Sequence, residues 1–231
     1  MPEDSTEVLQ SFVQMGVDLV DAQGHAAFNT PAGKQVFQYW VDFYQNDLLP
    51  KEALTQGHRR AIELYQAGET AILASGPEFL NEIANNAPQI AKVTAAAPQI
   101  TGRTGKKGVA VMNLVIPRAT DQPEAAIAFA QFITNDANQL AFAKAANVLP
   151  STTKALTDYV QFVNSGETTP VAKARAVSAS QLRDAGVLIP AMADIKQLQK
   201  AIYDNLQAAM LGEKTVDQAI ADAALNWNQR S

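Results

Sequence analysis

Three places in this 231-residue sequence carry side chains that could do chemistry. The first is its pair of imidazoles, His25 and His58. An imidazole acts as a base or ligand only with a nucleophile or a metal beside it. His58 stands next to Arg59 and Arg60 at a helix start, where a solvated role is expected. His25 closes the stretch DLVDAQGH, whose two aspartates suggest calcium. The D-x-D-x-D-G spacing of a calcium loop is missing, so Asp18 and Asp21 read as solvated turn residues. The second place is Ser75 in ASGP, which lacks the G-x-S-x-G frame that lifts a nucleophilic serine out of a sheet. The third is the glycine-rich, basic stretch QITGRTGKKG at residues 99–108. A phosphate cradle would need Gly where Ile100 stands, Ser or Thr where Lys107 stands, and a helix afterwards. A strand-like run follows instead, so Arg103, Lys106 and Lys107 are left with a weak attraction for anions.

Composition narrows the field further. There is no cysteine, and therefore no thiolate metal site, disulfide framework or cysteine nucleophile. No metal-ligand cluster stands out, and no cofactor is expected. Eighteen basic against 23 acidic side chains leave a net charge of −5, which argues against nucleic acid or an anionic membrane as the main partner. A hydrophobic content of 47% can build a core for one or two domains. The start MPEDSTEVLQ is acidic where an export signal begins basic and turns apolar, so none is expected in the chain as written. The most apolar helical stretch, residues 125–134, falls short of the roughly 20 residues a membrane span needs.

The elements that must position such groups are organised around residues 105–134. Residues 109–116 are nearly all apolar, between Gly108 and Pro117, and read as a strand buried on both faces. From Pro123 the run EAAIAFAQFIT has Ile127, Phe129, Ala130 and Ile133 around most of its axis and reads as a buried helix. Strand, loop and returning helix make half of a βαβ unit, so the fold class is α/β. Earlier, a helix ends near Gly16. Thr30 as N-cap and Pro31 at the first helical position open another, with Val36, Phe37, Trp40, Val41 and Tyr44 on one face. Trp40 in that stripe reads as core before ligand contact. A helix over 57–67, with Ala61, Leu64 and Tyr65 inward, stops at Gly68. Strands are expected at 69–75 and 91–96. Further helices start at Asn135 and Asp136, at Ser151, and at Thr169 with Pro170, the last closing at Gly186. A long helix stops at Gly212, and Thr215 with Gln218 forms a capping box for the final one.

The order of FNTP, AIELYQAGETAILASGP, GVAVMNLVIPRATDQPEAAIAFAQFITN, VLPSTT and MLGEKTVDQAIADA resembles the C-terminal part of family 1 extracellular solute-binding proteins of bacterial ABC importers. The resemblance spans residues 17–227. It implies a type II periplasmic-binding-protein-like fold, helix-rich, with two α/β lobes that close on a ligand and present it to a membrane permease. The implied ligand is a sugar or polyol, and the implied location is periplasmic or extracellular. Residues 1–99 and 151–231 would form most of lobe two, and 100–150 would be a segment that belongs to lobe one. Members of the family are longer, so this segment would lack most of its sheet partners. Exposed apolar surface is then expected, and with it self-association, swapping or a partner chain supplying the rest. The resemblance places cleft positions at Ser75, Gly76 and Glu78, with Phe79 adjacent, and at Gly108, Val109 and Asn113. It adds a ligand contact around Phe12 and Gln14. The stacking aromatic that often follows the Gly-Pro pair is replaced by Glu78, which would accept hydrogen bonds from hydroxyls instead. On residues alone, Ser75 and Gly76 also read as a plain strand end and turn.

Two other functions compete with non-catalytic capture. A fragment serving assembly alone would bind nothing, and a glycoside-processing enzyme would turn its ligand over.

Overall fold

The computed structural model describes residues 6–164, 166, 168–189, 191, 192 and 194–230. Its chain divides into two compact units built from interleaved segments. Unit 1 comprises residues 1–73, 100–108 and 186–231, and unit 2 comprises 74–99 and 109–185. The lobes implied by the resemblance, 1–99 with 151–231 against 100–150, do not coincide with these units, because 74–99 and 151–185 cluster with 109–150.

Unit 1 is a helical layer around one apolar core. Helices α1 (Glu7–Gln14), α2 (Pro31–Gln45), α10 (Ile195–Met210) and α11 (Val216–Asn228) supply most of it, α10 packing on both α11 and α2. Phe12, Phe28, Phe37, Leu198, Ile202, Leu206, Ile220 and Trp227 are fully buried there. Local signals set the ends of these helices. Thr30 accepts from the Gly33 amide at the start of α2, and Pro31 occupies the first position, where no donor is needed. Gly16 takes φ 77° and carries the chain out of α1 through a left-handed turn that a side chain would strain. At α11 both halves of the capping box form, Gln218 N to Thr215 Oγ1 at 3.2 Å and Thr215 N to Gln218 Oε1 at 3.1 Å. Thr215→Ala should therefore lower stability by about 1 kcal/mol, measured as a shift in urea midpoint at unchanged slope. Within the same unit α3 (His58–Gln66) turns Ile62 and Leu64 inward, rather than Ala61 and Tyr65 with Leu64.

Unit 2 contains α4 (Leu80–Asn86), α5 (Pro88–Val93), α6 (Pro123–Ile133), α7 (Asp136–Ala146), α8 (Thr153–Val163) and α9 (Pro170–Gln181). Its core is small: Ala143, Tyr159, Val163 and Ala179, flanked by Leu140, Leu149 and Phe162. Thr152, not Ser151, caps α8 by accepting from the Ala155 amide. Helix α9 ends at Gln181, and Gly186 lies beyond it, in unit 1.

The expected strands are where structure and sequence part. Residues 69–75 are irregular, with Ile72 exposed, and residues 88–93 are the helix α5, begun by Pro88 at its first position. Residues 109–116 form no ladder, and Met112 and Val115 are each 82% exposed. No residue of α6 is buried, and Phe129 is 63% exposed. A strand owes its stability to hydrogen bonds and side-chain pairs with neighbours, and no neighbouring strand accompanies this run among the described residues. The exposed apolar surface expected for an orphan segment is present, while the buried strand and helix are not.

Candidate functional site

In unit 2, Ser75, Gly76, Glu78 and Phe79 share one tight turn. Gly76 is extended (φ −88°, ψ 164°) and precedes a 3-10 turn, Pro77–Phe79, that runs directly into α4. Ser75 and Glu78 are exposed, Gly76 and Phe79 half-buried, and Pro77 is buried beneath them. The Glu78 carboxylate folds back over Gly76, so closely that a Cβ there would collide with both of its oxygens. The turn thus exposes a hydroxyl and a carboxylate, groups suited to donating and accepting hydrogen bonds. Val109 is half-buried and Asn113 exposed on the irregular run of the same unit. Solvent can satisfy the Asn113 amide, so it has no need of the buried partner that a central strand would have required.

Unit 1 carries Phe12, Gln14 and Gly108. Phe12 presents no surface. Its ring lies in the core, with centroids 5.8 Å from Phe28 and 6.0 Å from Phe37. Gln14 fastens the basic loop at 100–108 to the end of α1: its Nε2 donates to the Ile100 and Lys106 carbonyls at 3.4 and 3.2 Å. Its carbonyl accepts from the Thr104 amide at 2.9 Å and the Thr104 hydroxyl at 2.7 Å. Arg103 adds a bond to the Met15 carbonyl at 2.9 Å. These donors satisfy carbonyls that a helix end leaves open. Gly108 sits where a Cβ would come within 2.5 Å of Gln10 Oε1. Gln10 precedes Gln14 by one helical turn and faces the same loop, a placement that its i, i+4 spacing from Gln14 makes legible in the sequence.

Two cavities lie apart from these positions. One of about 380 Å³ lies in unit 1 between the starts of α2 and α11, where Lys34 and Asp217 pair at 2.6 Å. A second, of about 250 Å³, lies in unit 2 against Leu80, Ala84, Pro88 and Val171. Among the described residues no three or more His, Asp or Glu side chains are grouped so as to hold a metal ion, and no helix is long and apolar enough to cross a membrane. His25 pairs with Asp21 at 3.6 Å in an exposed turn, whose amides hold the Asp21 carboxyl below its ordinary range.

Residues 2–170 match the model of the bacterial extracellular solute-binding proteins. The chain belongs to that family. It is 48% identical, over 99% of its length and 59% of the other's, to a protein from Synechococcus sp. MITs9220 provisionally described as an oligosaccharide periplasmic-binding protein, with a TM-score of 0.94. The cyclic alpha-maltosyl-1,6-maltose binding protein of Arthrobacter globiformis is 21% identical, over 96% of this chain and 54% of that one, at a TM-score of 0.70. Lmo0181 of Listeria monocytogenes, solved with cycloalternan, is 18% identical over 99% and 57%, at 0.72. These structures share the fold, that of a periplasmic solute-binding protein, and the relatives are binding proteins rather than enzymes. The chain spans less than three-fifths of the length of each of them. No curated protein matches the chain.

Proposed function

We propose that this chain is the larger part of the binding component of an ABC importer, acting outside the cytoplasmic membrane. It captures a sugar or polyol, oligosaccharides foremost, without chemical change and delivers it to a membrane permease. The observation that carries this reading is the 48% identity across 99% of the chain to the Synechococcus protein. Ser75, Gly76 and Glu78 are the proposed contacts, the glycine leaving room for the Glu78 carboxylate to fold over it and that carboxylate accepting from ligand hydroxyls. Gly108, Val109 and Asn113 stand as further proposed positions, and Phe79 as an adjacent apolar surface. Gln14 would contribute by holding the loop that precedes Gly108, and Phe12 by holding the end of α1.

The proposed lobe assignment, 100–150 as a lobe-one segment, makes this site incomplete without further polypeptide. A specific observation favours a second reading, that the isolated chain serves assembly: the apolar run at 109–116 is open to solvent. A thermal-shift screen against mono- and disaccharides, polyols and glycerol phosphates separates the two, since a ligand of the folded state raises Tm by mass action. A saturable rise with one ligand class, lost in Glu78→Ala and with the ligand recovered intact, is the expected result. If no compound raises Tm in this chain, the screen is repeated with the remainder of the Synechococcus length joined to it, and silence there as well rejects sugar capture. A hydrolysed glycoside would instead reveal an enzyme.

A further inference from the structure

The smaller of the two cavities lies wholly within unit 2 and differs in character from the Ser75 to Glu78 turn. It is a groove of about 250 Å³ against α4, α5 and the start of α9. Ala87 alone separates α4 from α5, because Pro88 takes the first helical position and starts the second helix at once. Leu80 and Ala84 lie one turn apart on α4, and Pro88 and Ala91 three residues apart on α5, so each pair shares one face of its helix. Ile83, beside Ala84, is buried instead. Val171, in the first turn of α9, lines the groove as well.

One lining side chain is charged. Lys92, next to Ala91, is exposed and donates to Gln89 Oε1 at 3.5 Å, a long bond that uses one of its three protons. Among the described residues no carboxylate pairs with Lys92, and neither Asp nor Glu lines the groove. A lysine suits the rim of such a groove, since its methylene stem lies along apolar surface while the ammonium group stays in water.

These features select a class of ligand. A sugar needs several placed polar groups, and one ammonium among apolar walls does not supply them. An inorganic anion would pair with Lys92 and leave the walls in water. A neutral hydrocarbon would cover the walls and leave the ammonium unused. A molecule with an aliphatic chain and one terminal carboxylate answers both.

We propose that this groove binds a medium-chain aliphatic carboxylate, its chain against Leu80, Ala84, Pro88, Ala91 and Val171 and its carboxylate on Lys92. The site is independent of the sugar reading and shares no residue with it.

Octanoate is the probe, kept below the concentration at which it forms micelles and titrated into the isotopically labelled chain at constant ionic strength, with backbone amide NMR shifts as the readout. Saturable shifts at Ala84, Ala91, Lys92 and Val171 are the expected result. Hexanoate should bind more weakly, by about two- to fourfold for each methylene removed. Octanol should bind about two- to fivefold more weakly than octanoate, the value of a partly exposed ion pair. Lys92→Gln alters an exposed side chain, so it should fold as the parent does and erase that difference while leaving octanol binding unchanged. Ala84→Trp, made at an exposed helix position, should fill the groove and abolish binding of both compounds. Absence of saturable shifts at these amides would overturn the proposal, and so would a parent that binds octanol as tightly as octanoate. A Lys92→Gln protein that titrates with octanoate like the parent would overturn it too. Shifts confined to residues 109–116 and α6 would do the same, because octanoate would then be covering the exposed apolar run instead.

Discussion

Phe12→Ala should lower the stability of this protein by about 3–5 kcal/mol, the range for deleting a buried aromatic ring from a packed core. The ring is 0% exposed and sits between Phe28 and Phe37, joining α1 to α2 and to the segment between them. Tilted and edge-on contacts at these separations add to the area the ring buries. Total stabilities of about 5–15 kcal/mol make such a loss a large fraction of the whole. Urea or thermal unfolding reads it directly. The substitution also decides between two roles for this position. A ring serving chiefly as a ligand contact would be removed with little change in the unliganded protein. A ring serving as core removes the platform on which the end of α1, and with it Gln14 and the 100–108 loop, is held. An unliganded Phe12→Ala protein as stable as its parent would return the ring to the ligand.

What could be foreseen from sequence was whatever depends on a few neighbouring residues. Thr30 with Pro31, the Thr215 and Gln218 box, and the left-handed glycines at 16, 68 and 212 act within one turn of chain, and each stands where its residue type requires. The Ser75 to Glu78 turn was legible for the same reason, although its carboxylate folding over Gly76 was not. Strands are a different case, because a residue's type fixes its preference for a strand but not the presence of a partner. The apolar run at 109–116 has the composition of a central strand and lacks the neighbours that would make it one. Contacts between distant segments were equally hidden. Gln14 meets the Lys106 carbonyl across 92 residues, and the Arg175 bond to Asn147 spans 28. The glycine-rich, basic stretch at 99–108 coincides with two of the passages between units, near 99 and 108, but nothing in its composition says which unit each flanking segment joins.

The double variant Val115→Ser with Phe129→Ser should sharply reduce the binding of a hydrophobic dye and any self-association, while leaving unfolding free energy within about 0.5 kcal/mol. Both side chains are already in water, at 82% and 63% exposure, so replacing them creates no cavity and loses little buried area. Had residues 109–116 formed the strand that their composition suggests, each change would cost several kcal/mol by the cavity and transfer terms of a packed core. The same pair tested in a longer protein gives the complementary result. If the polypeptide that the Synechococcus relative has beyond this chain covers the run and α6, the substitutions become core substitutions there, and they should destabilise by about 3 kcal/mol or more. A near-zero effect in both settings would mean that the added polypeptide packs elsewhere. A large effect in the short chain alone, dependent on protein concentration, would mean that a second copy covers this face, because dissociation then contributes to the unfolding that is measured.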